Sequence, residues 1–253
     1  MTQKSLLNLP MDLELYKEVE LTEEETKFAL FEARKKKHGI LKMKEYRENL
    51  YKEKVYKNYS ADELKEMVKK IPGFIIDEFN EAIIWEMCLY FTKDVRCTLN
   101  QKKGLLLYGG VGCGKTTLIK FFNKNQSNSY AVYSVRDISY EYGKHGADAI
   151  LRYKGLLKVS APEEYYGQKE IGVCFDDLGT EIDKKHFGNE SNVMAEILLN
   201  RYDNHKSLEG KTHVTTNLNT TQLGERYGDR VRSRLREMFN VLIFENNSPD
   251  RRV

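Results

Sequence analysis

Near the middle of the chain, Gly109-Gly110-Val111-Gly112-Cys113-Gly114-Lys115-Thr116 carries the pattern G-x-x-x-x-G-K-[ST]. Residues of these types at this spacing can cradle a polyphosphate. The glycines let the backbone curl until several N–H groups point inward, through positive φ values that side chains resist. Lys115 is placed to reach the β- and γ-phosphates and the Thr116 hydroxyl to hold a magnesium ion. Thr117 follows in a helix whose positive dipole end faces the same anion. A second group lies downstream, where the apolar run Ile171–Phe175 ends in Asp176-Asp177. Acids at the carboxyl edge of a buried parallel strand sit where ligands bind in open α/β sheets. Asp176 then suits the magnesium shell, and Asp177 the orienting or deprotonation of an attacking water. Past the run Thr212–Thr216, the amide of Asn217 can hydrogen-bond the γ-phosphate or that water. In Gly228–Arg236, Arg230 and Arg234 share one helical face, while Arg232 and Arg236 share another. One face suits a neighbouring subunit's nucleotide and the other a nucleic-acid backbone.

The elements that must position these groups are readable as alternation. Strands are predicted at 104–108, 130–135, 171–175, 212–216 and 240–244, and helices near 116–125, 137–155, 191–205 and 228–238. Strands alternating with helices imply a mostly parallel sheet with helices on both faces. Phe79, Ile83, Met87 and Tyr90 recur at helical spacing ahead of the first strand, with Trp85 and Met87 read as core. Residues 1–73 form a predicted helical, charged N-terminal arm that binds a partner, and 74–253 the α/β core. Within the arm, Thr22 with Glu25 and Ser60 with Glu63 have the spacing of capping boxes. Phe28, Leu30 and Phe31 are expected to supply apolar contacts, Gly39 to interrupt the first helix, and Pro72-Gly73 to stop the second.

The chain has 253 residues, 40% hydrophobic and 31% charged, enough for one sizeable core with an appendage. No apolar run approaches the roughly 18 residues needed to span a bilayer, and no charged-then-apolar leader opens the chain. A cytoplasmic protein with no membrane partner is expected. Cys88, Cys97, Cys113 and Cys174 form no C-x-x-C pair, so neither disulfides nor a zinc site are expected. The five histidines carry no assigned chemistry. The net charge of +3 hides segregation. Asp12, Glu14, Glu18, Glu20, Glu23, Glu24, Glu25 and Glu32 dominate residues 12–32, whereas Arg34, Lys35, Lys36, Lys37, Lys42, Lys44, Arg47, Lys52, Lys54 and Lys57 dominate 34–57. Such a basic block suits a polyanion or an acidic protein surface, and equally a solvated helix face.

Over roughly residues 74 to 253 the chain resembles the AAA+ ATPases of the DnaC/IstB helicase-loader group. The resemblance rests on Gly109–Thr116, Cys174-Phe175-Asp176-Asp177-Leu178-Gly179-Thr180-Glu181, Asn200-Arg201-Tyr202-Asp203, Thr215-Thr216-Asn217-Leu218 and Arg230–Leu235. It implies a three-layer P-loop NTPase of AAA+ type, with ATP and Mg2+ as cofactors and hydrolysis of ATP to ADP and phosphate. It makes Asn217 sensor 1, Arg234 of the Ser-Arg-Leu step the arginine finger of the adjacent subunit's site, and Arg251, with Arg252 next to it, a sensor 2 candidate. Two departures stand out. Many AAA+ proteins carry Glu where this chain has Asp177, which leaves Glu181 as an alternative. The chain also ends nine residues after Phe244, leaving little or no room for a C-terminal lid, so the site would be closed by a neighbouring subunit in a homo-oligomer formed on ATP and DNA binding.

The function implied is the loading of a hexameric replicative helicase onto single-stranded DNA, the arm gripping the helicase. Arg136, Lys144, Arg152, Tyr153 and Lys154 are the candidates for DNA contact. Two other readings stay open. One is a transposition helper on duplex DNA with a transposase; the other is a nucleotide-gated interaction module with negligible turnover, kept open by the short Asp177.

Overall fold

The computed structural model describes residues 20–51, 56–182, 184–186, 189–245 and 248–251, which fall into two units, Met1–Lys54 and Val55–Val253. The expected charges at 12–18, Lys52, Lys54 and Arg252 lie outside the described residues.

The described residues of the first unit include one long helix, α1 (Glu23–Tyr51). Its start is fixed by the predicted capping box: the Thr22 N–H donates to Glu25 Oε2 at 2.9 Å and the Glu25 N–H to Thr22 Oγ1 at 3.3 Å. Two expectations are corrected here. Gly39 does not interrupt α1, since a single interior glycine costs only about 1 kcal/mol against a run of strong helix formers. Phe28, Leu30 and Phe31 make no apolar core and stand exposed, because a lone helix offers its own side chains nothing to pack against.

The second unit is a three-layer α/β domain. Its chain begins with α2 (Ala61–Val68), capped by the reciprocal Ser60–Glu63 bonds, and α3 (Glu81–Thr92). Ala61 and Val68 are fully buried in one cluster with Ile84, Met87 and Phe91 of α3. This packing is why residues 55–73, read from the sequence as part of the arm, belong to the core unit.

The central sheet is built from β1 (Gly104–Tyr108), β2 (Tyr130–Ser134), β4 (Glu170–Leu178), β7 (Thr212–Thr216) and β8 (Phe239–Ile243). They run parallel in the order β2-β4-β7-β1-β8. All five predicted strands are present, within a few residues at their ends. A short strand absent from the prediction, β3 (Leu157–Lys158), pairs antiparallel to β4, and β5 (Lys184–His186) with β6 (Asn189–Ser191) forms a separate hairpin.

Strand alternation sends side chains to opposite faces. Leu105 and Leu107 enter the cluster of α2, α3 and α4 (Lys115–Phe121), while Leu106, Val173, Phe175 and Val214 enter the cluster on the other face. That second face is covered by α5 (Val135–His145), α6 (Ala147–Tyr153), α7 (Val193–Asp203) and α8 (Thr220–Met238). The helix expected over 137–155 is broken by Gly146, which takes a positive φ. The helix expected over 228–238 begins earlier, at Thr220, and Gly228 marks a non-helical kink inside it. Among the described residues no helix is long and apolar enough to cross a membrane.

Candidate active site

The chain leaves β1 through the glycine loop into α4 and returns to the sheet at the far strand β2, whereas α8 carries it from β7 across β1 to β8. Such a reversal of direction opens a crevice at the strands' carboxyl ends. A cavity of about 490 Å³ lies there, lined by Val111, Gly112, Gly114, Lys115, Thr116 and Thr117 of the loop and helix, together with Asp176, Asp177, Asn217 and Arg251. Gly112 and Gly114 hold φ values of 78° and 100°, the backbone the glycine pattern anticipates. Gly109, Gly110 and Cys113 contribute backbone and packing rather than cavity wall.

Lys115 is 5% exposed, and its ammonium is held inside the loop. It donates to the carbonyls of Gly109 at 2.8 Å and Gly110 at 2.7 Å, and to Asn217 Oδ1 at 2.7 Å. The lysine of the loop and the amide after β7 thus meet directly. Thr116 Oγ1 donates to Asp176 Oδ1 at 3.0 Å. A hydroxyl and a carboxylate aimed at one point fit Mg2+, which takes one or two carboxylates and fills its octahedron with water and phosphate oxygens. Among the described residues no cluster of three or more His, Cys, Asp or Glu gathers into a self-sufficient metal site.

Asp176 and Asp177 are neighbours in sequence, and on a regular strand their side chains would point to opposite faces. Both line the cavity because β4 slips its register against β7 between Phe175 and Leu178, and Asp177 takes φ 60°. A β-bulge re-aims a side chain in this way. Asp is one of the few non-glycine residues that tolerate the left-handed region.

Thr215, which sequence reasoning passed over, joins the two acids. Its Oγ1 donates to Asp176 Oδ1 at 2.6 Å and accepts the Asp177 N–H at 2.8 Å. The Asp177 carbonyl accepts from the Thr180 N–H and hydroxyl at 3.1 and 2.8 Å. A hydroxyl two residues before the expected Asn217 was legible only once the register of β4 against β7 was known.

Glu181 does not line the cavity. It is 5% exposed, it accepts from the Tyr227 hydroxyl, from Arg226 Nε at 3.3 Å and from the Gly179 N–H at 2.9 Å. Burial, and then the Glu181 charge, push the Tyr227 phenol well above its ordinary range. Of the two acids, Asp177 lines the cavity and Glu181 does not. Burial, with Asp176 nearby, raises the Cys174 thiol far above its usual range, in keeping with an inert core thiol. All four cysteines are free.

Arg251 reaches the loop but is already engaged. Its guanidinium grips Asp77 through both carboxylate oxygens at 2.6 and 2.8 Å and donates to the Cys113 carbonyl at 3.1 Å, while its N–H bonds the Gly112 carbonyl. It braces the glycine loop from the cavity wall. Pro72, Gly73, Phe74 and Lys120 complete the cavity wall, a contribution the sequence did not signal.

Arg234 lies away from this cavity. Its guanidinium stacks 4.2 Å from the Tyr202 ring and donates to the Tyr202 hydroxyl and to Glu237 Oε1, both at 3.0 Å. Arg232 pairs with Asp229 at 2.8 Å, and Arg230 is exposed. Among the DNA-contact candidates, Arg136, Lys144 and Lys154 are exposed and Arg152 pairs with Glu141 at 3.1 Å. Tyr153 is withdrawn from that set: it is buried under the sheet's second face, its hydroxyl donating to Glu141 Oε2 at 2.9 Å.

A mostly parallel sheet with β1 inside it, a glycine loop and helix after β1, and paired acids near the carboxyl end of β4 define the P-loop class of three-layer α/β folds. Among solved structures, the chain is similar to DnaI at 20% identity and a TM-score of 0.45, over 73% of this chain and 89% of that one. It is similar to a DNA replication initiation factor at 16% identity and 0.44, over 68% and 48%. AMPPCP-bound DnaA from Aquifex aeolicus is similar at 15% and 0.46, over 76% and 51%, so the chain spans about half the length of these last two. No protein-family model and no curated protein matches the sequence.

Proposed function

We propose that this chain is a cytoplasmic AAA+ ATPase of the DnaC/IstB-like helicase-loader group, which loads a hexameric replicative helicase onto single-stranded DNA. The observation that carries the reading is the convergence of Lys115, Thr116, Asp176, Asp177 and Asn217 on one cavity. In it the loop amides and Lys115 bind the phosphates of ATP, with Lys115 giving up hydrogen bonds to its own loop carbonyls as it does so. Thr116 and Asp176 would hold Mg2+, whose charge would offset that of the phosphates. Asp177 orients the attacking water and takes up its proton, while Asn217 fixes the γ-phosphate. The chemistry is phosphoryl transfer to water, for which positioning and charge stabilisation supply most of the rate.

Arg234 acts in the neighbouring subunit's site of a homo-oligomer, the N-terminal arm engages the helicase, and Arg136, Lys144 and Lys154 contact the strand. Steady-state ATP hydrolysis with and without single-stranded DNA tests the reading. Lys115→Ala is expected to lower kcat/KM about 100-fold per folded molecule, with some loss of stability because it strands the Gly109, Gly110 and Asn217 acceptors. Mixtures of Lys115→Ala and Arg234→Ala subunits are expected to regain activity above either alone. Hydrolysis that is undetectable with every DNA and partner would replace the loader with a nucleotide-gated interaction module.

A further inference from the structure

The long helix α1 carries features that the ATPase chemistry does not use. At about 100° per residue, Phe28, Phe31 and Met43 of α1 fall on one side, with Gly39 among them, while Leu30 and Leu41 fall on the opposite side. Phe28, Phe31 and Met43 are more than half exposed, Phe28 at 68%. Helices in water draw most of their stability from packing an apolar face, so a bare stripe on 29 residues calls for a cover.

Two independent polarities run along the same helix. The first is steric. Phe28 and Phe31 project from the N-terminal half, whereas the C-terminal half has an open groove lined by Lys36, Gly39, Ile40, Met43 and Lys44. Gly39 presents no side chain there, and a Cβ at that position would meet nothing within 4 Å. The second is electrostatic. Glu23, Glu24, Glu25 and Glu32, with Lys27 among them, occupy the stretch of α1 that carries the phenylalanines; Arg34, Lys35, Lys36, Lys37, Lys42 and Lys44 run from the middle of α1 through the groove, with Glu45 after them.

One arrangement satisfies both at once. We propose that α1 pairs antiparallel with α1 of a second copy of this chain, seating Phe28 and Phe31 of each copy in the Gly39 groove of the other. Parallel pairing would set acid against acid and phenylalanine against phenylalanine. Antiparallel pairing sets each acidic half on a basic half, and large residues on the glycine. The contact is isologous, so it closes at two copies. It requires neither nucleotide nor the phosphate loop, and its failure would leave the ATPase reading untouched.

Sedimentation of the nucleotide-free full chain over a concentration series tests the pairing, with circular dichroism of each variant at the same concentrations. A reversible dimer is expected. Gly39→Leu favours helix yet fills the groove, so it should leave helicity undiminished while weakening the dimer at least tenfold, roughly the loss of one well-packed anchor. Reversing the acidic half (Glu23→Lys, Glu24→Lys, Glu32→Lys) or the basic half (Lys35→Glu, Lys36→Glu, Lys42→Glu) should give monomers, and mixing the two variants should restore a heterodimer. A wild-type chain that stays monomeric throughout overturns the proposal. So does a dimer indifferent to Gly39→Leu, or charge-reversed variants that do not pair on mixing.

Discussion

Strand β7 has two ends, and they treat buried polar groups in opposite ways. At its carboxyl end the Thr215 hydroxyl ties Asp176 to Asp177, Lys115 bonds Asn217 just beyond, and all four of these partners line an open cavity. At its amino end Arg201 is fully buried, donating to Thr212 Oγ1 at 2.9 Å and to the carbonyls of Tyr153, Gly155 and Lys211 at 2.7 to 3.1 Å. Burial pulls that guanidinium down to about 9, so it stays charged at neutral pH. Next to it His213 sits among the rings of Tyr90, Phe91 and Tyr130, its Nδ1 accepting the Leu105 N–H at 3.1 Å. Burial drives this imidazole down to about 3. The same sheet thus spends cations on architecture at one edge and keeps them beside a cavity at the other. Unusual titration at the amino end marks structure, which is why perturbed acidity alone does not locate a site.

The sharpest way to break the comparison is at Asp177. Asp177→Asn keeps the left-handed backbone and the shape but not the carboxylate to which the proposed hydrolysis assigns the water's proton, so on that proposal turnover is expected to fall about 1,000-fold with nucleotide affinity within a few-fold. Near-normal turnover would show that another group activates the water. At the opposite end, Arg201→Ala strands several buried acceptors and should cost about 3 kcal/mol, lowering Tm by roughly 10 °C, without altering affinity for nucleotide per folded molecule. An unchanged Tm would mean that water replaces the guanidinium.

A third test uses pH. His213 titrates lower in the folded chain than the ordinary 6.5 or so, hence the unfolded chain binds the proton more readily between those values. Its contribution to stability is therefore complete above about 6.5 and is lost as pH falls toward 3, by about 2 kcal/mol at pH 5. His213→Gln, which retains an acceptor for Leu105, should flatten the slope of Tm between pH 7 and pH 5. A slope identical to wild type would assign the acid sensitivity elsewhere. The smallest effect is expected at Thr215→Val. Losing one shared hydroxyl should lower kcat about tenfold and leave KM nearly fixed, since it acts through the two acids rather than on the nucleotide. A change confined to KM would argue for a direct role in binding.

Much of the carboxyl end was legible from the chain. The glycine spacing fixed the loop, and the apolar run before Asp176 fixed the strand, because both depend on local pattern alone. Glu181, left open as an alternative, and Tyr153, read as a DNA contact, share one feature. Their types suit chemistry, yet their surroundings come from distant parts of the sequence, α8 for Glu181 and β2, β4 and α7 for Tyr153. Thr215 was invisible for the converse reason, being an ordinary strand residue until β4 is laid beside β7. The division at residue 54 rather than 73 likewise depends on α2 finding α3, since nothing in the composition of 55–73 separates it from the charged helix before it.

The slipped register after Phe175 carries a consequence for how this sheet can vary. A deletion of one residue there would let β4 pair evenly with β7 and make the strand more regular. It would also swing one carboxylate out of the cavity, leaving a better-formed sheet with half of its acid pair. Substitutions that improve the packing of this edge are therefore poor guides to improving whatever happens in the cavity, and stabilising this protein safely means working on the other face.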